Sequence, residues 1–100
     1  MAGQSLGGQY RIKLRSTTGR EVTAEFRIRR DTVEVWCQDR CMAIMDRDVF
    51  RIWLERNPGP YVVDDVMWTQ VPGEPVALVI RNSGCWLIPA ALMSGLRARV

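Results

Sequence analysis

One hundred residues, 47% of them hydrophobic and carrying a formal net charge of +3, suffice for one domain with a real core but not for two. No apolar run approaches the roughly 18 residues of a membrane span, and a sequence without histidine lacks the usual general base, triad partner and imidazole ligand. Of 14 basic residues only Lys13 is lysine, so the charge permits an anionic partner without demanding one.

The first eight residues, Met1 to Gly8, have neither a basic n-region nor an apolar h-region and are expected to form a flexible tail. A single domain is expected over 9–100. Gln9–Arg15 then alternates, with Tyr10, Ile12 and Leu14 on one side and Arg11, Lys13 and Arg15 on the other. Glu21–Arg29 repeats the pattern, with Val22, Ala24, Phe26 and Ile28 inward. The turn residues Ser16-Thr17-Thr18-Gly19-Arg20 between them predict an antiparallel hairpin with one wet face. Setting Arg15 opposite Glu21 also sets Arg11 opposite Glu25, so the cross-strand charges support the register.

A second hairpin is expected from Thr32–Cys37 and Cys41–Met45 around Gln38-Asp39-Arg40. Asp46 stands where a helix N-cap belongs, ahead of Val49, Phe50, Trp53 and Leu54 at helical spacing. Asn57-Pro58-Gly59-Pro60 stops that helix. Tyr61–Gln70 reads as one strand, Pro72-Gly73-Glu74-Pro75 as a turn, and Val76–Arg81 with Cys85–Ile88 as a further hairpin. Pro89 suits the first helical position before Ala90–Ala98, whose Leu92, Met93 and Leu96 share a face. The predicted order is ββββα then βββα, an α+β fold of antiparallel sheets each followed by a helix.

Those two units are pseudo-repeats, about 9–57 and 61–100, because Val33–Leu54 matches Val76–Arg97 in hydrophobic pattern at a constant offset of 43 residues. Their outward positions are informative. Trp36, Met42 and Ile44 in the first unit, and Val79 and Leu87 in the second, fall opposite the helix-covered side and are apolar. A sheet apolar on both sides needs cover on both sides, so a second subunit or another protein is expected there.

Little in the sequence points to catalysis. Cys37 and Cys41 bracket a turn and could face one another, yet their spacing is not that of a zinc ribbon or a thioredoxin-like site. Three cysteines, an odd number, suit a reducing cytoplasmic interior. Asp64-Asp65 reads as a solvated strand start, since adjacent strand residues point to opposite faces. No phosphate loop, nucleophile elbow or dinucleotide turn is present, so no enzyme, cofactor, metal or small-molecule substrate is expected. Arg27, Arg29 and Arg30 near Trp36 supply the recipe for a single-stranded nucleic-acid surface, set against a salt-bridged solvated face.

The run Ala43-Ile44-Met45-Asp46-Arg47-Asp48-Val49-Phe50, the break at Pro58-Gly59, the strand Asp65-Val66-Met67-Trp68 and the passage from Val76–Ile80 to Leu87–Leu96 carry a resemblance. In pattern and order the chain resembles the SsgA-like regulators of sporulation and cell division in actinomycetes, with their Whirly-like fold. It departs from them in its compact turn at Pro72–Pro75 and in its first hairpin, which leaves a BldB-like developmental regulator of similar fold as the other resemblance. Both imply a non-catalytic homo-oligomer acting through protein contacts in development or septation, cytoplasmic and recruited to the division septum. The nucleic-acid-binding relatives of that fold supply the alternative.

Overall fold

A computed structural model describes residues 8–56, 59–70 and 75–100. The predicted tail, apart from Gly8, and most of the turn at 72–75 lie outside the described residues, as do Asn57 and Pro58 of the helix stop. The chain runs β1 (Gly8–Ser16), β2 (Glu21–Ile28), β3 (Thr32–Cys37), β4 (Arg40–Asp46), α1 (Arg47–Arg56), β5 (Tyr61–Val63), β6 (Val66–Thr69), β7 (Val76–Ile80), β8 (Gly84–Ile88) and α2 (Ala90–Arg99).

The class is α+β with antiparallel strands and two helices, as expected, but the strands do not form separate sheets. All eight join one sheet in the order β4-β3-β2-β1-β8-β7-β6-β5. This sheet curls into a nearly closed barrel. Its middle seam is thin, with β1 and β8 pairing only at Arg15↔Leu87 and Ser16↔Trp86. At its ends β4 and the β5–β6 turn approach through Asp65 N–H donating to the Met42 carbonyl at 3.2 Å and Ile44 N–H donating to Asp64 Oδ2 at 3.1 Å.

One strand was missing from the expected order. Tyr61–Gln70 is a hairpin, with Val63 paired to Val66 across the turn Asp64-Asp65. Asp64 adopts φ 51°, a left-handed conformation that aspartate tolerates better than most residues because its side chain hydrogen-bonds locally. The architecture is therefore ββββα twice. The constant offset survives in three dimensions: α1 starts at Arg47 and α2 at Ala90, 43 residues on, and each has 10 residues.

The second hairpin also differs from expectation. Cys37 pairs with Arg40, so its turn holds two residues, Gln38 and Asp39, both at positive φ (51° and 62°). That is the conformation a tight hairpin needs to follow the strand twist. A bulge then absorbs Met42, since Trp36 pairs with Cys41 and Val35 with Ala43. The first hairpin matches its predicted register, Arg15↔Glu21 and Arg11↔Glu25.

Inside the barrel lies a single apolar cluster. Ile12, Leu14, Ala24, Phe26 and Ile28 are inward as expected, and Trp53 and Trp86 are core residues. Trp68 is fully buried among Phe50, Phe26 and Trp53, with ring centroids at 4.8, 5.8 and 6.1 Å. Burying about 200 Å² of such a ring at about 25 cal/mol per Å² contributes on the order of 5 kcal/mol before entropy. Asp46 caps α1, its Oδ1 accepting from Val49 N–H at 2.9 Å. Val49 itself is 49% exposed rather than core, because Phe50, Trp53 and Leu54 fill the inward stripe. Pro89 stands at the N-cap of α2, one position before the place predicted for it.

Candidate functional site

The sheet register settles what each outer face carries, because paired residues point to the same side. Over the first four strands one row runs Arg11, Glu25, Trp36, Cys41 and the next Gln9, Arg27, Glu34, Ile44. The charges in these rows neutralise one another. Glu25 accepts from both Arg27 and Arg11, the latter at 2.8 Å, and these guanidinium groups, Arg27 first, hold its carboxyl below the usual range. Glu34 accepts from Trp36 Nε1–H at 2.9 Å and pairs with Arg29 at 3.3 Å. The indole N–H is the larger cause of its lowered pKa and Arg29 the second.

Trp36 thus points outward, but it is no bare stacking platform. The Arg27 guanidinium lies 4.0 Å from its ring centroid, covering a face on which a base would stack. Of the three arginines singled out from the sequence, Arg27 and Arg29 are bound to glutamates, while Arg30 is exposed and outside this lattice.

The last four strands present the opposite character. Val62, Met67, Val79 and Cys85 are successive partners across β5, β6, β7 and β8, and so form one continuous outward row. A second row holds Thr69, Ala77 and Leu87 and ends on Arg15 of β1. Val62 is 63% exposed, and Val79 and Leu87 are half-buried by their neighbours. Ile44, 54% exposed, lies across the β4–β5 seam, where it lines an open cleft of about 510 Å³ with Cys41, Asp64, Asp65 and Arg81.

Four of the five outward apolar residues expected from the sequence, Trp36, Ile44, Val79 and Leu87, therefore do face out. Met42 does not. As the bulged residue it is buried, 7% exposed, and reaches the surface only in the wall of that cleft. Val62 and Met67 were missed, because a single strand over 61–70 does not bring them together. Two Asp residues between apolar runs were the turn signal that could have found them. Val49 and Ile52 also remain exposed on α1, beside Trp53, Pro60 and Tyr61 in a shallow apolar depression of about 230 Å³.

The cysteines do not converge. Cys37 is buried on the inner side and Cys41 is exposed on the outer one, so the two cannot face one another as their spacing suggested. The bulge and the two-residue turn are the cause. Burial raises the pKa of Cys37, and burial with the neighbouring Glu34 charge raises that of Cys41, the opposite of an activated thiolate. Among the described residues no three His, Cys, Asp or Glu side chains gather as a metal site, and no helix is long and apolar enough to cross a membrane. No family model, no curated protein and no solved structure matches the chain.

Proposed function

We propose that the chain is a non-catalytic, self-associating regulator or adaptor that works through protein–protein contacts. The observation that carries this reading is the continuous apolar row Val62–Met67–Val79–Cys85 on the outer side of the second half. Apolar outer rows of this extent favour a covering surface, since leaving them in water forfeits burial at about 25 cal/mol per Å². The likeness in pattern to regulators of sporulation and septation supports placing the protein among factors of that kind, by analogy of sequence order alone.

Single-stranded nucleic-acid binding is the second reading. Arg30 and the density of arginine favour it, whereas the Arg27–Trp36 stack and the Glu25 and Glu34 pairs weigh against it. Sedimentation velocity over a micromolar dilution series, followed by titration with an unstructured oligonucleotide, separates the two. Self-association that weakens on dilution and no oligonucleotide binding at low salt are expected. A monomer at every concentration that binds the oligonucleotide in a salt-sensitive way would reverse the choice.

A further inference from the structure

We infer that the open seam between β4 and β5 is a docking edge for an extended segment of another protein, a short apolar run flanked by basic residues. This goes beyond the self-association reading and does not need it. β4 and β5 stand at the two ends of the strand order, and no ladder joins them. Among the described residues the seam is crossed by Asp65 N–H donating to the Met42 carbonyl and by Ile44 N–H donating to Asp64 Oδ2. An edge strand is a template for a further strand, because its outer backbone groups lack a ladder partner.

The alternation of the ladders identifies those groups. Arg47 N–H donates to the Asp31 carbonyl on the β3 side, so Ile44 and Asp46 turn their backbone groups away from β3. On the other edge the Asp64-Asp65 turn closes on Val63↔Val66, which leaves the backbone of Val62 facing away from β6. At Ile44 N–H the Asp64 carboxylate therefore stands where the carbonyl of an incoming strand would accept.

The side chains around the seam fit an apolar occupant. Ile44, Val49, Ile52 and Val62 are the exposed large hydrophobic residues among those described, and all four border it. Ile44 and Val62 flank it on the outer side, Ile44 in the wall of the cleft of about 510 Å³. Val49 and Ile52 lie on the helix side, where they share their depression with Tyr61 of the edge strand β5. A strand laid along the seam meets apolar groups on both faces, which calls for a continuous apolar run rather than an alternating one. The charged groups lining the cleft are Asp64, Asp65 and Arg81, and Asp46 is exposed at the far end of β4. Three carboxylates against one guanidinium suit basic residues at the ends of the run.

Nuclear magnetic resonance titration of the full chain tests this, the probe being an acetylated and amidated peptide with a run of Val and Ile between pairs of Lys. The amide signals of Ile44, Asp46 and Val62 are expected to shift together and their hydrogen exchange to slow. N-methylation of alternate peptide nitrogens removes the strand donors but keeps the side chains, and weakens binding about tenfold. A Glu-flanked peptide binds about tenfold more weakly at low salt. At about 0.5 M salt, where the flanking charges are screened, Asp64→Gly tightens binding about threefold by freeing Ile44 N–H. Glycine accepts the φ of 51° at that turn, so the variant keeps the fold. Equal binding of the N-methylated peptide, an Asp64→Gly chain that binds no tighter, or no shift at millimolar peptide overturns the inference. Shifts confined to the row around Val79 do the same. Dilution-dependent shifts at Ile44 and Val62 without peptide identify a second copy as the occupant and overturn the choice of a foreign segment.

Discussion

Tyr10 and Gly95 show how narrowly single residues are matched in this barrel. The Tyr10 hydroxyl donates to the Leu92 carbonyl at 3.2 Å, and Arg99 lies over its ring at 4.3 Å. A Cβ built on Gly95 would overlap the phenol oxygen and sit 2.8 Å from Cζ. A methyl there requires the phenol end to move, at the expense of its contacts with Leu92 and Arg99. Gly95→Ala should therefore lower stability by about 1–3 kcal/mol, despite the roughly 1 kcal/mol that alanine gains in a helix. Urea denaturation checks this, and Tyr10→Phe should cost less in the Gly95→Ala background than in the parent. Equal stability of Gly95→Ala and the parent would show that α2 shifts freely. None of this was legible in the sequence, where Gly95 is one more glycine in a helical pattern; only the approach of β1 to α2 makes it special.

At the scale of elements, local chemistry was the best guide. The Asp46 cap, the Arg15–Glu21 register and the inward stripe of β1 and β2 follow from neighbours in sequence, and all are present. Asp46→Ala should cost about 0.5–2 kcal/mol, read as a lowered thermal midpoint with the helix retained. An unchanged midpoint would mean that tertiary packing alone holds the first turn. Arg47 argues for such packing too: its guanidinium donates to the Arg29 carbonyl at 2.7 Å and to that of Val100 at 3.1 Å, tying α1 to the end of α2. Where element reading failed, a single residue of register was responsible. The Gln38-Asp39 turn is one residue shorter than expected, and the bulge that compensates moves Met42 from outside to inside. Period-two patterns cannot locate a bulge, because either side of it alternates correctly.

For the whole molecule, the charge lattice predicts how stability varies with pH. Glu21, Glu25 and Glu34 have carboxyl pKa values lowered by Arg15, by Arg27 with Arg11, and by Trp36 with Arg29. A lowered folded-state value means that the unfolded chain binds more protons, so this stability is present at neutral pH. It is lost as pH falls below the ordinary glutamate value of about 4.3 and through the lowered ones. The pairs are solvent-facing, so the effect is modest and salt-screened. At the alkaline end the sign reverses. Cys37 has a raised pKa from burial, so stability falls as pH rises past the ordinary thiol range near about 8.5. Urea midpoints measured across pH should fall on both sides of a neutral plateau, and a midpoint flat from neutrality to about pH 3 would mean that the carboxylates contribute nothing.

Sequence by itself determined the α+β class, the internal repeat and most inward positions, because hydrophobic period and capping chemistry act over a few residues. It also located the doubly apolar second hairpin. What only the tertiary structure decided is that eight strands share one nearly closed sheet, since nothing local states which strand edges meet across 72 residues of chain, as β1 and β8 do at Arg15↔Leu87. That closure separates the outer surface into a self-neutralised half and an apolar half. Strand pairing at long range assembled the row from Val62 to Cys85, and no window of sequence contains it.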